Sequence, residues 1–286
     1  MLVAGARLSP RWGAACWLAF FALVLAAWAA LFAMSADFAA RAPIALLGPG
    51  MGLFAPLFPD TSGLLLLPGL LESLCLAGAA PGESAPLALF AMWALMALAM
   101  MAPTAVPLLA TYGDFVAGNP ARVPASGFFS LLAGFCLVWL GFAGAGGLAQ
   151  WGLARAELMT FGGQLSSVWL AIVLLLVAGA YQFSALKAAC LSRCRSPLAF
   201  FFAHWRDGPS GAFWMGLRQG AYCLGCCWAL MALAFVGGTM NLLWMGIAMV
   251  LMTLEKLPTI GRRVSAPLGG MLIAAAALLA ATTLTA

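Results

Sequence analysis

Seven stretches of the chain are long and apolar enough to cross a bilayer as helices, approximately 13–34, 86–110, 127–150, 166–187, 213–236, 240–257 and 266–284. A hydrocarbon layer of about 30 Å takes roughly 20 apolar residues at helical rise. The pattern predicts an all-α, polytopic transmembrane helical bundle of about seven spans. Arg7 and Arg11 precede the first stretch, as they would in a signal peptide. Its apolar run of about 22 residues exceeds the 7–15 of a cleaved signal core, and an uncleaved anchor is expected.

The polar positions between the stretches set the orientation. With the N-terminus cytoplasmic, Arg7, Arg11, Arg122, Lys187, Arg193, Arg195, Arg206, Arg218, Lys256, Arg262 and Arg263 fall inside, and only Arg41 and Arg155 outside. Cytoplasmic loops carry the excess of Lys and Arg, so the C-terminus is expected outside. Residues 35–85 hold two further apolar runs, interrupted by Pro43, Pro49, Pro56, Pro59 and Pro68, with Glu72 inside the second. They read as short helices on the outer membrane surface; if 62–79 spanned instead, the count would be eight and the charge pattern would fail. Two regions are expected: 1–85, an anchor span plus an outer-face segment, and 86–286, a six-span metal-binding core.

Composition sharpens the class. Of 286 residues, 65% are hydrophobic and 7% charged, with a mean hydropathy of +1.06. A soluble domain carries about 25% charged residues, so the surface is expected to face lipid. The net charge of +5 belongs to the loops and is no signal for nucleic acid.

Sulfur is the candidate chemistry. The stretch "YCLGCCW" places Cys223, Cys226 and Cys227 at i, i+3 and i+4, on one helix face, near the cytoplasmic end of the fifth span. "LKAACLSRCR" places Cys190 and Cys194 at i, i+4, at the same end of the span before it. Five thiols from consecutive helices therefore converge at a similar depth. Cys16, Cys75 and Cys136 stand apart and read as small core hydrophobes.

Methionines form a second set: Met92, Met96 and Met100 recur every four residues with Met101 following, and Met245, Met249 and Met252 share a face of the sixth span. Flexible packing accounts for such spacing as well as ligation does. The single histidine, His204, sits in a loop. A site rich in thiolate and thioether and poor in imidazole and carboxylate selects Cu(I), and to a lesser degree zinc or iron–sulfur. Lys187, Arg193 and Arg195 lie near Cys190 and Cys194, where cations favour the ligating thiolate. Glu255 and Lys256 end the sixth span on the same side, as an ion pair or as groups that tune the site. The glycine-rich "GFAGAGGLAQ" and "LVAGAY" are read as close helix packing. The sequence contains no phosphate loop, HExxH helix or Ser/His/Asp arrangement.

The motifs "MWALMALAMMAP" (92–103), "YQFSALKAACLSRCRSP" (181–197), "GLRQGAYCLGCCWALM" (216–231) and "LEK" (254–256) resemble those of a bacterial family of predicted metal-binding integral membrane proteins (DUF2182). A member associated with a polyphenol oxidase gave that family its description as a membrane copper chaperone. The resemblance implies a multi-pass protein of the bacterial inner membrane, not an enzyme, that supplies copper to a copper-dependent enzyme, with a membrane protein complex as a further partner. Matched to the motifs, the metal-site candidates are Cys190, Cys194, Cys223, Cys226, Cys227, Met96, Met100 and Met101, with Lys187, Glu255 and Lys256 around them.

Three functions follow from these residues. The leading one is Cu(I) binding and delivery, with zinc as the alternative metal. The second is copper transport along a Cys and Met path; no acidic pair for proton coupling and no ATPase domain accompany it. The third is membrane thiol–disulfide exchange by Cys223 with Cys226 or by Cys226 with Cys227, against which stands the expected cytoplasmic depth, where disulfides are transient.

Overall fold

The computed structural model describes residues 10–41, 43–53, 86–117, 124–160 and 162–285. Among the described residues the regular elements are helices, plus one isolated β-bridge between Met159 and Leu165. In chain order they are α1 (Pro10–Arg41), α2 (Pro86–Met101), α3 (Val106–Ala117), α4 (Pro124–Arg155), α5 (Val168–Tyr181), α6 (Ala185–Arg195), α7 (Pro197–His204), α8 (Gly208–Ala232), α9 (Ala234–Gly237), α10 (Leu242–Lys256) and α11 (Gly261–Thr285). The second apolar run of the 35–85 segment (62–79), with Cys75, lies outside the described residues; of that segment, Ile44–Leu47 forms a 3-10 turn.

Among the described residues, five helices are long and apolar enough to cross a membrane: Ala14–Ala36, Pro86–Val116, Ala125–Arg155, Gly208–Gly237 and Arg263–Thr285. A sixth arises if the bent pair Val168–Tyr181 and Ala185–Arg195, which turn by 61°, count as one span. The stretch expected as a sixth span, 240–257, forms α10, whose 15 residues reach about 22 Å, less than the hydrocarbon thickness. Length and composition thus give five or six spans where the sequence pattern suggested about seven.

The chain ends and turns alternate between two sides of the bundle. Ser35, near the end of α1, donates its hydroxyl to the carbonyl of Met240, at the start of α10, at 2.8 Å. Asn241 caps α10 by accepting from the Trp244 amide at 3.1 Å, and its amide group donates to the carbonyls of Pro49 and Gly237. The 158–165 turn joins this same side through Leu165 N–H to Phe235 carbonyl at 2.9 Å. The opposite side carries the ends of α6 and α10 and the start of α8.

Small residues bring the helices together. Against α4, a Cβ at Gly216 of α8 would collide with the Leu131 carbonyl, and one at Gly134 with the Phe213 carbonyl. The glycine-rich stretch of α4 packs as expected: Gly146 lies under the Trp93 ring, and Trp93 donates to Gln150 at 2.7 Å. Gly179 of "LVAGAY" likewise admits Ile273 and the Gly269 carbonyl of α11.

Two interruptions position the site. Pro103 lacks an amide proton, so the helical ladder of α2 stops and a 3-10 turn, Pro103–Ala105, leads into α3. Between α5 and α6, Ser184 caps the new helix by accepting from the Lys187 amide at 3.1 Å. Cys190 and Cys194 therefore ride on a separate, tilted helix rather than on the straight end of the preceding span. Pro197, after the Ser196 cap, opens α7 as its first residue.

Candidate metal centre

Helix α8 carries Cys223, Cys226 and Cys227 into the core, each about 1–2% exposed. Their shared face is the one that meets α6 and α10. The Cys226 and Cys227 sulfurs are 3.3 Å apart, and Cys194 of α6 places its sulfur 3.9 Å from Cys226. Cys226 donates to the Cys223 carbonyl at 3.1 Å. Cys194, Cys226 and Cys227 each interact with Cys223, which closes the group of four. Cys190 is half-buried at its edge, against Gly225: a Cβ there would stand 2.6 Å from the Cys190 sulfur.

Charged groups enclose these thiols. Lys256, at the end of α10, donates through Nζ to the Cys223 sulfur at 3.0 Å and to Thr104 Oγ1 at 2.7 Å. Thr104 comes from the Pro103 break and donates onward to the Met101 carbonyl at 2.7 Å. The neighbouring Glu255, 1% exposed, pairs with Lys187 of α6 at 2.8 Å. Its backbone carbonyl accepts from Arg195 Nε at 2.8 Å. Tyr181 donates its hydroxyl to the Gly225 carbonyl, tying the end of α5 to the cysteine turn.

The sequence-derived candidates divide as follows. Cys194, Cys223, Cys226 and Cys227 meet one another, Cys190 borders them, Lys256 contacts Cys223, and Glu255, next to Lys256, pairs with Lys187. Met96, Met100 and Met101 are all buried in the same core, but Met96 and Met100 line a cavity that Met101 does not. Adjacent residues of a helix point about 100° apart, so Met100 and Met101 serve different faces. Of the remaining cysteines, Cys16 and Cys136 are free thiols apart from the cluster.

Thr104, Gly225 and Tyr181 were missed as site residues. The motif ending at Pro103 stopped one residue short of Thr104. Gly225, sitting between the cysteines, was the available signal that another side chain occupies that space.

The donor set suits a soft ion. Three sulfurs bound at about 2.3 Å round one metal lie about 4.0 Å apart, close to the 3.9 Å between Cys194 and Cys226. The 3.3 Å pair, Cys226 and Cys227, has to open to embrace an ion, which a rotamer change at either thiol can supply. Among the described residues no three His, Cys, Asp or Glu side chains are already disposed around one point as a closed ligand shell. The thiols are gathered but turned toward each other, toward Lys256 and toward the Cys223 carbonyl.

The fold is a helical bundle that gathers four cysteine thiols from two helices in its core. Residues 90–279 match the family model of PpoB2, a copper chaperone, and the chain belongs to that family. No curated protein and no solved structure matches it.

Proposed function

We propose that this chain is a multi-pass protein of the bacterial inner membrane that binds Cu(I) as cargo and delivers it to a copper-dependent enzyme. Two or three of the thiolates of Cys194, Cys223, Cys226 and Cys227 hold the ion. Cys190, at the half-buried edge, is the entry or exit ligand. The observation that carries this reading is the meeting of four thiols from α6 and α8 in the buried core, a histidine-free donor set of the kind that favours Cu(I). Family membership supports copper and a non-catalytic role.

Charge balance supports the monovalent ion. The buried Lys187, Lys256 and Glu255 together contribute one surplus positive charge, and half-buried Arg195 adds a further cation at the rim. A Cu(I) bis-thiolate carries one negative charge. Over the buried groups the sum is zero, which suits a low-dielectric interior where uncompensated charge is costly. More thiols than one Cu(I) needs allow ligand exchange, the step a carrier requires. The thiols on α6 and α8 then lie beside the cytoplasmic end of α10, with the N-terminus inside and the basic loops on that side. Replacing Cys226 and Cys227 together by Ser tests the reading: copper stoichiometry and affinity should fall, and unchanged values would refute it.

A further inference from the structure

A cavity of about 90 Å³ lies between α2, α8, α10 and α11, and four thioethers face it: Met96, Met100, Met231 and Met245. All four are buried, each at most 3% exposed. The rest of the wall is aliphatic apart from Trp244 and Gly238. No imidazole, carboxylate or hydroxyl lines it. Such walls hold water poorly, so a hydrated hard cation finds nothing there. A dehydrated soft ion finds sulfur from three separate helices.

The cavity is continuous in register with the thiol cluster. Met231 follows Cys227 by four residues on α8, about 6 Å along the helix axis. Met100 precedes Thr104 by four residues, and Thr104 touches both Lys256 and Cys223. Met96 lies one turn further along α2, toward the Asn241 side of the bundle. Met245 descends from that side on α10, one turn inside the Asn241 cap. The thioethers thus lead away from the thiols toward the opposite face.

We propose that this cavity is a second Cu(I) site, formed by the thioethers of Met96, Met100, Met231 and Met245, onto which copper passes from the thiols. The inference rests on the copper role proposed above. Thioethers are neutral, so an ion in the cavity keeps its full positive charge in apolar surroundings, whereas the thiolates neutralise it. The cavity site is therefore weaker and exchanges faster, as a hand-over station must. Transfer needs no redox step: the thiolate–copper bonds are exchanged in turn for thioether–copper bonds, the freed thiolates remain against the Lys256 ammonium, and the ion stays Cu(I).

The test loads detergent-purified full-length protein with Cu(I) anaerobically and counts bound copper in three forms. These are wild type, Met96/Met100/Met231/Met245→Leu, which conserves side-chain volume, and Cys190/Cys194/Cys223/Cys226/Cys227→Ser. Expected are about two ions in wild type and about one in each variant, the ion left in the Ser variant held more weakly. A single ion that survives the Leu substitutions and is lost with the Ser substitutions would overturn the cavity site and leave the thiolate reading standing. A single ion lost only with the Leu substitutions would do the reverse. Copper unaffected by either set, or none in wild type, would remove both. Should the Leu variant fail to fold, X-ray absorption on the Cu(I)-loaded Ser variant decides: a sulfur shell supports the thioether site, and a shell of nitrogen or oxygen alone, or no metal, overturns it.

Discussion

Lys256→Met removes the ammonium that lies 3.0 Å from the Cys223 sulfur while keeping a long apolar stem. At an effective dielectric constant of about 20, two unit charges at that separation interact by roughly 5.5 kcal/mol. Desolvation of the free ammonium and relaxation of the pocket offset part of this. If about half survives, the copper-bound site loses roughly 2.7 kcal/mol, a weakening of about 100-fold in Cu(I) affinity. The loss follows from the charge balance: without Lys256 the bis-thiolate complex is left with a net negative charge in the core. Lys256→Arg keeps the charge and should weaken binding much less, although its planar fork fits the Thr104 and Cys223 pair less well. The assay is anaerobic competition with a chromophoric Cu(I) chelator in detergent, beside a size-exclusion profile to establish folding. Affinity of folded Lys256→Met within about threefold of wild type would refute the counter-ion role. Tighter binding would show instead that the ammonium occupies the place of the metal.

Glu255→Gln leaves Lys187 buried with its carboxylate partner gone, and should cost about 3–5 kcal/mol of stability; thermal unfolding in detergent reads this, and Lys187→Met added to Glu255→Gln should restore much of it. Gly225→Ala sets a methyl group against the Cys190 sulfur at 2.6 Å, turning that half-buried thiol outward at about 0.5–1.5 kcal/mol. Cys190 should then react faster with a maleimide, and an unchanged rate would contradict the packing. Trp93→Phe strips the buried Gln150 oxygen of its donor, for a loss of about 1–3 kcal/mol in the same unfolding assay.

Much of the site is readable from spacing within single helices. Cys223, Cys226 and Cys227 share a face because of helical periodicity, and that face is buried as expected. Basic residues beside Cys190 and Cys194, together with Glu255 and Lys256, mark the same end of the bundle. Pairings between helices are another matter. Glu255 with Lys256 could be read as an ion pair, yet Glu255 takes Lys187 and Lys256 takes Cys223. Adjacent residues on α10 point to different neighbours, and only the packing of α6 and α8 decides which.

The bend at Ser184 is hidden for a similar reason. Hydropathy runs smoothly into "YQFSALK", and a single serine that caps a new helix leaves little trace in it. Thr104 becomes a site residue because Pro103 breaks α2 beside the end of α10, a tertiary coincidence. The methionine spacing on α2 is legible, but which thioethers face open space depends on Met231 and Met245, contributed by two other helices.

The most direct test of the central claim is the copper content of anaerobically Cu(I)-loaded, detergent-purified protein beside the Cys223/Cys226/Cys227→Ser variant. Tightly held copper in wild type that a folded variant no longer retains, the weakly held thioether-bound ion aside, is the predicted result. Equal copper in both, or zinc retained in preference to copper, would contradict the assignment of these thiols as the Cu(I) site.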